Sequence, residues 1–482
     1  MSRRAKIVAT LGPATDAPGM LERIIRAGVD VARINFSHVD EEATALRRIA
    51  QVRETSARLG KVVAVLADLP GPKLRVRIDA IRQLNVGDVV NFPLPDVVPE
   101  EGDIPITDPE VLPDLQYNHR MLLDDGKLQL LARGIINGRL NAVVTVGGLL
   151  KLNKGLNLPD TTISIPAITD RDRFALAICA KAGVDWLAMS FVRGPTSADY
   201  LRDAAAAVGL PRIPVLAKIE RPEAVDKHIA IIDAFDGVMV ARGDLGVELP
   251  FEKLPPIQKQ IIAAARLAGK PVITATEMLD SMTKNPRPTR AEVSDVANAV
   301  FDGTDAVMLS GETSVGEYPF EAVQSMANII VEAERSMKHE GRSFMALQVL
   351  RPSDSIEDSL ALAACHMAGE IKATAIITPT LSGRTARLLA RYRPRAFIVA
   401  PTQNAATLNH LAVTWGVQPV WMEKVQTGTG RMGAAVKDAF AAGAVKAGDR
   451  VVVLAGHPLE GEGRLPTLRV VKVGEGGASL EP

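Results

Sequence analysis

Residues 215–220 read Val-Leu-Ala-Lys-Ile-Glu, and one helix-length later residues 237–246 read Gly-Val-Met-Val-Ala-Arg-Gly-Asp-Leu-Gly. Each stretch begins as a short apolar run and closes on charge: Lys218 and Glu220 in the first, Arg242 and Asp244 in the second. Runs that are apolar at nearly every position, without polar alternation, mark parallel strands covered on both faces. The same unit, a run followed by a helix-length segment, occurs at 7–9, 31–34, 62–67, 186–189, 215–218, 237–240, 272–275 and 306–309. The intervening segments are amphipathic and Ala-rich, as in 258–268. Eight such units predict an α/β fold closed as a (β/α)8 TIM barrel. An open, doubly wound sheet is the alternative.

One unit departs from the pattern. Between Asp68 and Gly155 short runs at 88–91, 128–130 and 142–146 are broken by Gly, Pro and Asp, and no helical crossover is evident. This predicts a β-rich insertion after the third strand, leaving from the rim where barrel active sites lie, and so placed to act as a lid. Beyond residue 350 the pattern restarts. A polar linker at 351–354 precedes Ser355 and Asp358, a capping box for the next helix. Strand runs at 375–377, 397–400, 418–420, 451–454 and 468–471 then alternate with helices, as in a separate α/β domain. The expected division is 1–69 with 156–345 for the barrel, 70–155 for the lid and 346–482 for the C-terminal domain.

A chain of 482 residues is too long for one ordinary core, which fits that division. Its formal net charge of zero provides no bulk attraction for nucleic acid or an anionic membrane, and neither partner is expected. Cys179 and Cys365 lie far apart in Ala-rich apolar surroundings and read as free buried thiols. The basic start runs into an apolar stretch too short for a signal segment, and no apolar run has membrane-spanning length. A reducing cytoplasm is the expected compartment.

Active residues of a barrel gather at its strand ends, and six ends here are chemically loaded. The second carries Arg33, Asn35, Ser37 and His38; the third carries Asp68, Leu69, Gly71, Lys73 and Arg75. The fifth carries Lys218 and Glu220, the sixth Arg242, Gly243 and Asp244, the seventh Thr276 and Glu277, the eighth Ser310 and Glu312. Arg33, Arg75 and Lys218 suit a phosphoryl group, whose transfer needs charge offset and positioning. Glu220 and Asp244 have no accompanying histidines, which favours Mg2+ or Mn2+ over zinc. Asn35 and Ser37, two apart on an extended segment, are expected to point the same way and bind oxygen or a cation. The Thr276 hydroxyl can hold or relay a proton. Glu312 and Glu317 are weaker ligand candidates, because rim loops use such residues as their own caps. The chain has neither a Gly-x-x-x-x-Gly-Lys-Ser/Thr phosphate loop nor a dinucleotide glycine fingerprint.

These residues lie in stretches that resemble the pyruvate kinase family over essentially the full chain. The matching stretches are 6–13 (KIVATLGP), 32–38 (ARINFSH), 68–75, 154–159 (KGLNLP), 217–220 (AKIE), 240–249 (VARGDLGVEL), 274–282 (TATEMLDSM) and 305–319 (DAVMLSGETSVGEYP). The resemblance implies transfer of phosphate from phosphoenolpyruvate to ADP by a homotetramer. It implies that Arg33 and Lys218 contact the phosphoryl group, with Lys218 stabilising the transition state. It makes Glu220 and Asp244 the divalent-metal ligands, and Gly243, Asp244 and Thr276 the substrate carboxylate pocket, Thr276 also lying near the proton path. Asn35, Ser37, His38, Arg75 and Lys154 resemble the nucleotide side, and Asp124 the lid acid that approaches on closure.

The chain also departs from that pattern. Many members place threonine and glutamate where Leu69 and Lys73 stand, and hold potassium with that region and residues like Asn35 and Ser37. The fixed ammonium of Lys73 is expected to replace the ion around Asn35, Ser37, Asp68 and Leu69, so that potassium is not required. Glu277 and Arg221 stand where glutamine and asparagine are frequent. In the last domain Thr378 to Thr385 place hydroxyls and amides at a helix start, a phosphate pocket by geometry. The matching family loop binds phosphorylated effectors, which points to Thr380, Ser382, Gly383, Arg384 and Thr385; a plain helix cap is the alternative. The glycine loop at 456–461 can close over such a ligand. Two rival activities remain open. A Mg2+-dependent carbon–carbon lyase would need neither a nucleotide side nor a water-excluding lid. A non-catalytic nucleotide-binding regulator would not need Lys218, Glu220, Asp244 and Thr276 together.

Overall fold

The computed structural model describes residues 3–39, 41–339, 355–423, 428–455 and 467–481. Its centre is a closed barrel of eight strands: Lys6–Thr10, Val31–Asn35, Ala64–Asp68, Trp186–Met189, Val215–Ile219, Gly237–Ala241, Val272–Ala275 and Ala306–Leu309. Every neighbouring pair is parallel, and the first strand closes the ring between the second and the eighth, with Val8 opposite Val31 and Lys6 opposite Ala306. The open-sheet alternative is thereby excluded.

The apolar runs are continuous because both strand faces are buried. Ile7, Ala9, Val215, Ala217, Val238 and Val240 pack outward in the cluster shared with the helices. Val8, Val31, Leu66, Trp186, Ala188, Leu216 and Met239 fill the barrel interior, joined by Ala412 and Val413 from the C-terminal domain. Side chains alternate along a strand. The interior parity of 216 is therefore shared by Lys218 and Glu220, that of Val31 by Arg33, and that of Leu66 by Asp68. The period that packs the interior also aims these charges into the mouth.

The insertion forms an antiparallel sheet in the order Leu156–Asn157, Arg120–Leu123, Leu128–Ile136, Arg139–Val146 and Val89–Pro93. It has its own core, from Leu74 through Phe92, Leu112 and Leu130 to Ile165. That core thus draws on the returning chain as far as Ile163 and Ile165.

The C-terminal domain is a six-stranded sheet. Val417–Trp421, Phe397–Thr402, Ala375–Ile377 and Arg450–Ala455 run parallel, and Thr467–Val473 and Ser479–Leu480 complete it antiparallel. Ser355 caps the helix Ile356–Glu370 by accepting from the Asp358 amide. The 351–354 linker and the 456–461 loop lie outside the described residues. The domain is joined to the barrel by a buried pair: Arg393 donates to both carboxylate oxygens of Asp305 at 3.1 Å and to the Gly303 carbonyl. Cys179 is buried and Cys365 half-buried, both as free thiols; burial pushes the Cys179 pKa up to about 12.

Candidate active site

The second, third and fifth strands end in one buried charge cluster. Lys218 Nζ lies 2.8 Å from Glu220 Oε1 and 3.3 Å from Asp68 Oδ1, and donates to Ser190 Oγ at 2.8 Å. Arg33 Nε donates to Asp68 Oδ2 at 2.8 Å, and its Nη1 to Thr10 Oγ1 at 2.8 Å. Glu220 Oε2 accepts from the Phe191 amide at 2.7 Å. Thr10 and Ser190 were not singled out from sequence. The signal was present, since both share the interior parity of their chain segments, Thr10 with Val8 and Ser190 with Ala188.

Burial opposes the charge on Lys218, but Asp68 and Glu220 outweigh it and raise the lysine pKa. Burial would raise the Asp68 pKa, yet Lys218 and Arg33 bring it below the usual carboxylate range. Glu220 is displaced the other way: burial raises it, Lys218 opposes this, and Asp244 adds to the rise. The 2.8 Å contact keeps the lysine charged, and a further cation beside Glu220 would favour its ionised form in turn.

The sixth and seventh strand ends meet at Thr276. Its hydroxyl accepts from the Gly243 amide at 2.7 Å and donates to the Ala275 carbonyl at 2.6 Å. Thr276 and Glu277 both have positive φ, 67° and 53°, a region a β-branched residue occupies only under restraint. Arg242 supplies that restraint. It donates to the Thr276 carbonyl at 2.7 Å and the Ala275 carbonyl at 3.2 Å, and is itself braced by Asp295 at 2.7 Å. Asp244 lies in the first turn of the short helix Arg242–Glu248. With Arg242, Glu277 and other barrel residues, and Asp125 of the insertion, it lines a cleft of about 940 Å3.

Several expected groupings take a different local form. Ser37 is not two along an extended segment from Asn35: the chain turns at Phe36–His38, and the Asn35 carboxamide oxygen caps the Ser37 amide at 3.1 Å. Lys73 reaches Asp244, with Nζ 3.2 Å from Oδ1. Leu69 is buried beside the third strand end. Arg75 donates to the Asn153 carbonyl, next to Lys154. Loss of solvation, then the charges of Arg75 and Arg33, lower the His38 pKa, which puts these groups in one electrostatic neighbourhood.

On the lid, Lys154 Nζ lies 2.7 Å from Asp124 Oδ1. Burial would raise the Asp124 pKa, but the bond from Lys154 and nearby lysines carry it below the ordinary value. Glu312 is buried and accepts from the amides of Leu279 and Ser310, so it braces the rim loops; Glu317 pairs with Lys284 on the surface. In the C-terminal domain the Thr380 hydroxyl accepts from the Gly383 amide at 3.0 Å, at the start of the helix Arg384–Arg391. Ser382 and Arg384 are exposed there.

Fold and site together define a barrel with an inserted β domain, whose strand ends gather Arg33, Lys73 and Lys218 against Asp68, Glu220 and Asp244. Comparison with known proteins names the family. The family model described as "Pyruvate kinase, barrel domain" matches residues 2–323, and that described as "Pyruvate kinase, alpha/beta domain" matches 358–471. The chain is 42% identical to the pyruvate kinase of Geobacillus stearothermophilus over 474 residues, 98% of this chain and 80% of that one. It is 40% identical over 477 residues to the pyruvate kinases of Staphylococcus saprophyticus and Bacillus licheniformis, covering 98% of this chain and 81% of each relative. The chain belongs to the pyruvate kinase family. It is an enzyme that transfers the phosphoryl group of phosphoenolpyruvate to ADP, giving pyruvate and ATP, and the reaction requires a divalent metal. Among the described residues no helix is long and apolar enough to cross a membrane.

Proposed function

We propose that the reaction runs at the cluster of Arg33, Lys218, Glu220, Asp244 and Thr276. The supporting observation is the contact of Lys218 with both Asp68 and Glu220, at 3.3 and 2.8 Å. It leaves a fixed positive charge where transferred phosphate and developing enolate need one. Arg33 and Lys218 hold the phosphoryl group. A β-phosphate oxygen of ADP attacks phosphorus, the bond to the enol oxygen breaks, and the enolate then takes a proton at its terminal carbon. Thr276, with Gly243 and Asp244, seats the substrate carboxylate and lies on the proton path. Asn35, Ser37, His38, Arg75 and Lys154 form the nucleotide side. Asp124, tied to Lys154, approaches as the lid of residues 70–155 closes and excludes water.

The divalent ion is read as Mg2+ or Mn2+, held by Glu220 and Asp244. Among the described residues no three or more His, Cys, Asp or Glu side chains gather as a metal cluster. Two carboxylates still fit Mg2+, which commonly takes one or two of them and fills its other positions with water and substrate oxygens. The ion would offset phosphoryl and enolate charge. Potassium is read as not required, because Lys73 is a fixed cation at this rim. The assembly is read as a homotetramer, on family membership. The loop from Thr380 through Ser382, Gly383 and Arg384 to Thr385 is read as the seat of a phosphorylated effector.

Paired measurements test the metal reading. Glu220→Gln is expected to lose Mn2+ binding by electron paramagnetic resonance, and about 10²-fold or more of ATP formation with Mg2+. Normal Mn2+ affinity in that variant would remove Glu220 from the metal site.

A further inference from the structure

The segment that returns the chain from lid to barrel, residues 157–165, is gripped from both sides. On the lid side Arg120 is bidentate on Asp160, at 2.9 and 2.7 Å, and His119 Nδ1 lies 2.9 Å from Thr161 Oγ1. On the barrel side Arg221 Nη2 donates to the carbonyls of Leu158 and Thr161, at 3.2 and 3.1 Å. Arg193 donates to the carbonyls of Ile163 and Ile165.

Arg221 does more than hold that turn. It is only 5% exposed. Its Nε donates to Glu223 at 2.9 Å, and its Nη1 lies 3.6 Å from Glu248 Oε1. Glu248 is also buried and accepts from Asn157 Nδ2 at 3.1 Å. Arg221 directly follows Glu220, and Glu248 ends the helix whose first turn carries Gly243 and Asp244. One guanidinium therefore joins three segments: the end of the fifth strand, the short helix after the sixth, and the segment that returns the chain from the insertion to the barrel. A planar group with five donors can do this; an asparagine is too short and a lysine offers one point charge.

We propose that Arg221 is a positioning residue that fixes the lid pivot relative to the strand ends bearing Glu220 and Asp244. The proposal rests on reading those two carboxylates as the metal site. Closure then rotates the lid about a turn already registered to that site, so that Asp124 and Lys154 arrive in a constant place. The phosphoenolpyruvate contacts proposed above are all barrel residues, so losing the pivot should affect the closed, reacting state more than substrate capture.

The test combines kinetics, exchange and metal binding on the full-length enzyme. In Arg221→Gln, kcat is expected to fall about 10- to 100-fold with KM for phosphoenolpyruvate within about twofold. Amide hydrogen exchange across 157–165 should rise about tenfold, with Mn2+ binding retained. Arg221→Lys, which keeps the charge in the same pocket, should recover part of kcat and part of the protection. Unchanged kcat, unchanged exchange in 157–165, or loss of Mn2+ binding in both Arg221 variants would overturn the proposal. Normal Mn2+ binding by Glu220→Gln would instead sink the metal reading and leave the exchange result standing, so the two failures are distinguishable.

Discussion

Lys73 Nζ lies 3.2 Å from Asp244 Oδ1, so a cation from the third-strand loop contacts a carboxylate of the sixth. Arg33, Lys73 and Lys218 then face Asp68, Glu220 and Asp244 as three charges against three. On the reading that the fixed Lys73 ammonium stands in for a bound monovalent cation, no potassium ion is needed at this rim. The enzyme is expected to reach full turnover in potassium-free buffer at constant ionic strength. Lys73→Glu combined with Leu69→Thr should create a potassium requirement of about tenfold or more in kcat/KM. Strong stimulation of the wild type by potassium, in the same assay, would contradict this.

Stability should depend on pH through groups displaced in opposite senses. Asp68 has a folded pKa below its unfolded value of about 3.9, so its stabilisation is present above that value and is lost as pH falls through the folded pKa. Glu334, buried and accepting from the Arg4 and Ala5 amides, is raised by burial. Its contribution is complete below an unfolded pKa of about 4.3 and is lost as pH rises through the folded one. Melting temperature is therefore expected to fall toward acid pH through Asp68 and to decline above about pH 4.3 through Glu334. Glu334→Gln should make that latter decline shallower than in wild type, and an unchanged slope there would mean that Glu334 does not contribute to it.

The barrel and the C-terminal domain should unfold together because Arg393 and Asp305 are both buried where they pair. Asp305 also accepts from the Trp415 amide at 3.0 Å. Removing one partner strands a buried charge, so Arg393→Ala should cost about 3–5 kcal/mol. Denaturant unfolding checks this; a loss below about 1 kcal/mol, typical of an exposed pair, would mean that water replaces the arginine.

Much of this was legible in the sequence for a definite physical reason. A barrel strand buried on both faces leaves a long apolar run, and 186–189, 272–275 and 306–309 match the observed strands end to end. The charges at the ends of the runs 31–34, 62–67 and 215–218, namely Arg33, Asp68, Lys218 and Glu220, are ones that the structure brings together. What the sequence did not yield were contacts made across the chain. Thr10 and Ser190 are ordinary hydroxyl residues until strand parity aims them at Arg33 and Lys218. The partner of Lys73 depends on how the third-strand loop folds over the sixth, which no local spacing encodes. Arg221 was visible only as an unusual residue, because its partners at 158, 161 and 248 come from the lid return and the next unit.

The C-terminal loop separates two readings by a simple titration. If it seats an effector, one of a panel of sugar phosphates and nucleoside monophosphates should shift the phosphoenolpyruvate saturation curve by about 5-fold or more. Ser382→Ala with Thr385→Ala should abolish that shift. Thr380 already bonds the Gly383 amide. If no phosphate moves the curve and the alanines are silent, the loop is a helix cap.

The most direct test is the rate of ATP formation from phosphoenolpyruvate and ADP with saturating Mg2+ in wild type and Lys218→Met. Lys218 contacts Asp68, Glu220 and Ser190 at once. Its ammonium is the group asked to offset the transferring charge. The substitution should lower kcat by about 10³-fold, in line with losing a preorganised charge. Binding of phosphoenolpyruvate, read by ligand-induced fluorescence or calorimetry, should persist through Arg33 and Thr276. ATP formation in Lys218→Met within about threefold of wild type would contradict the account at its centre.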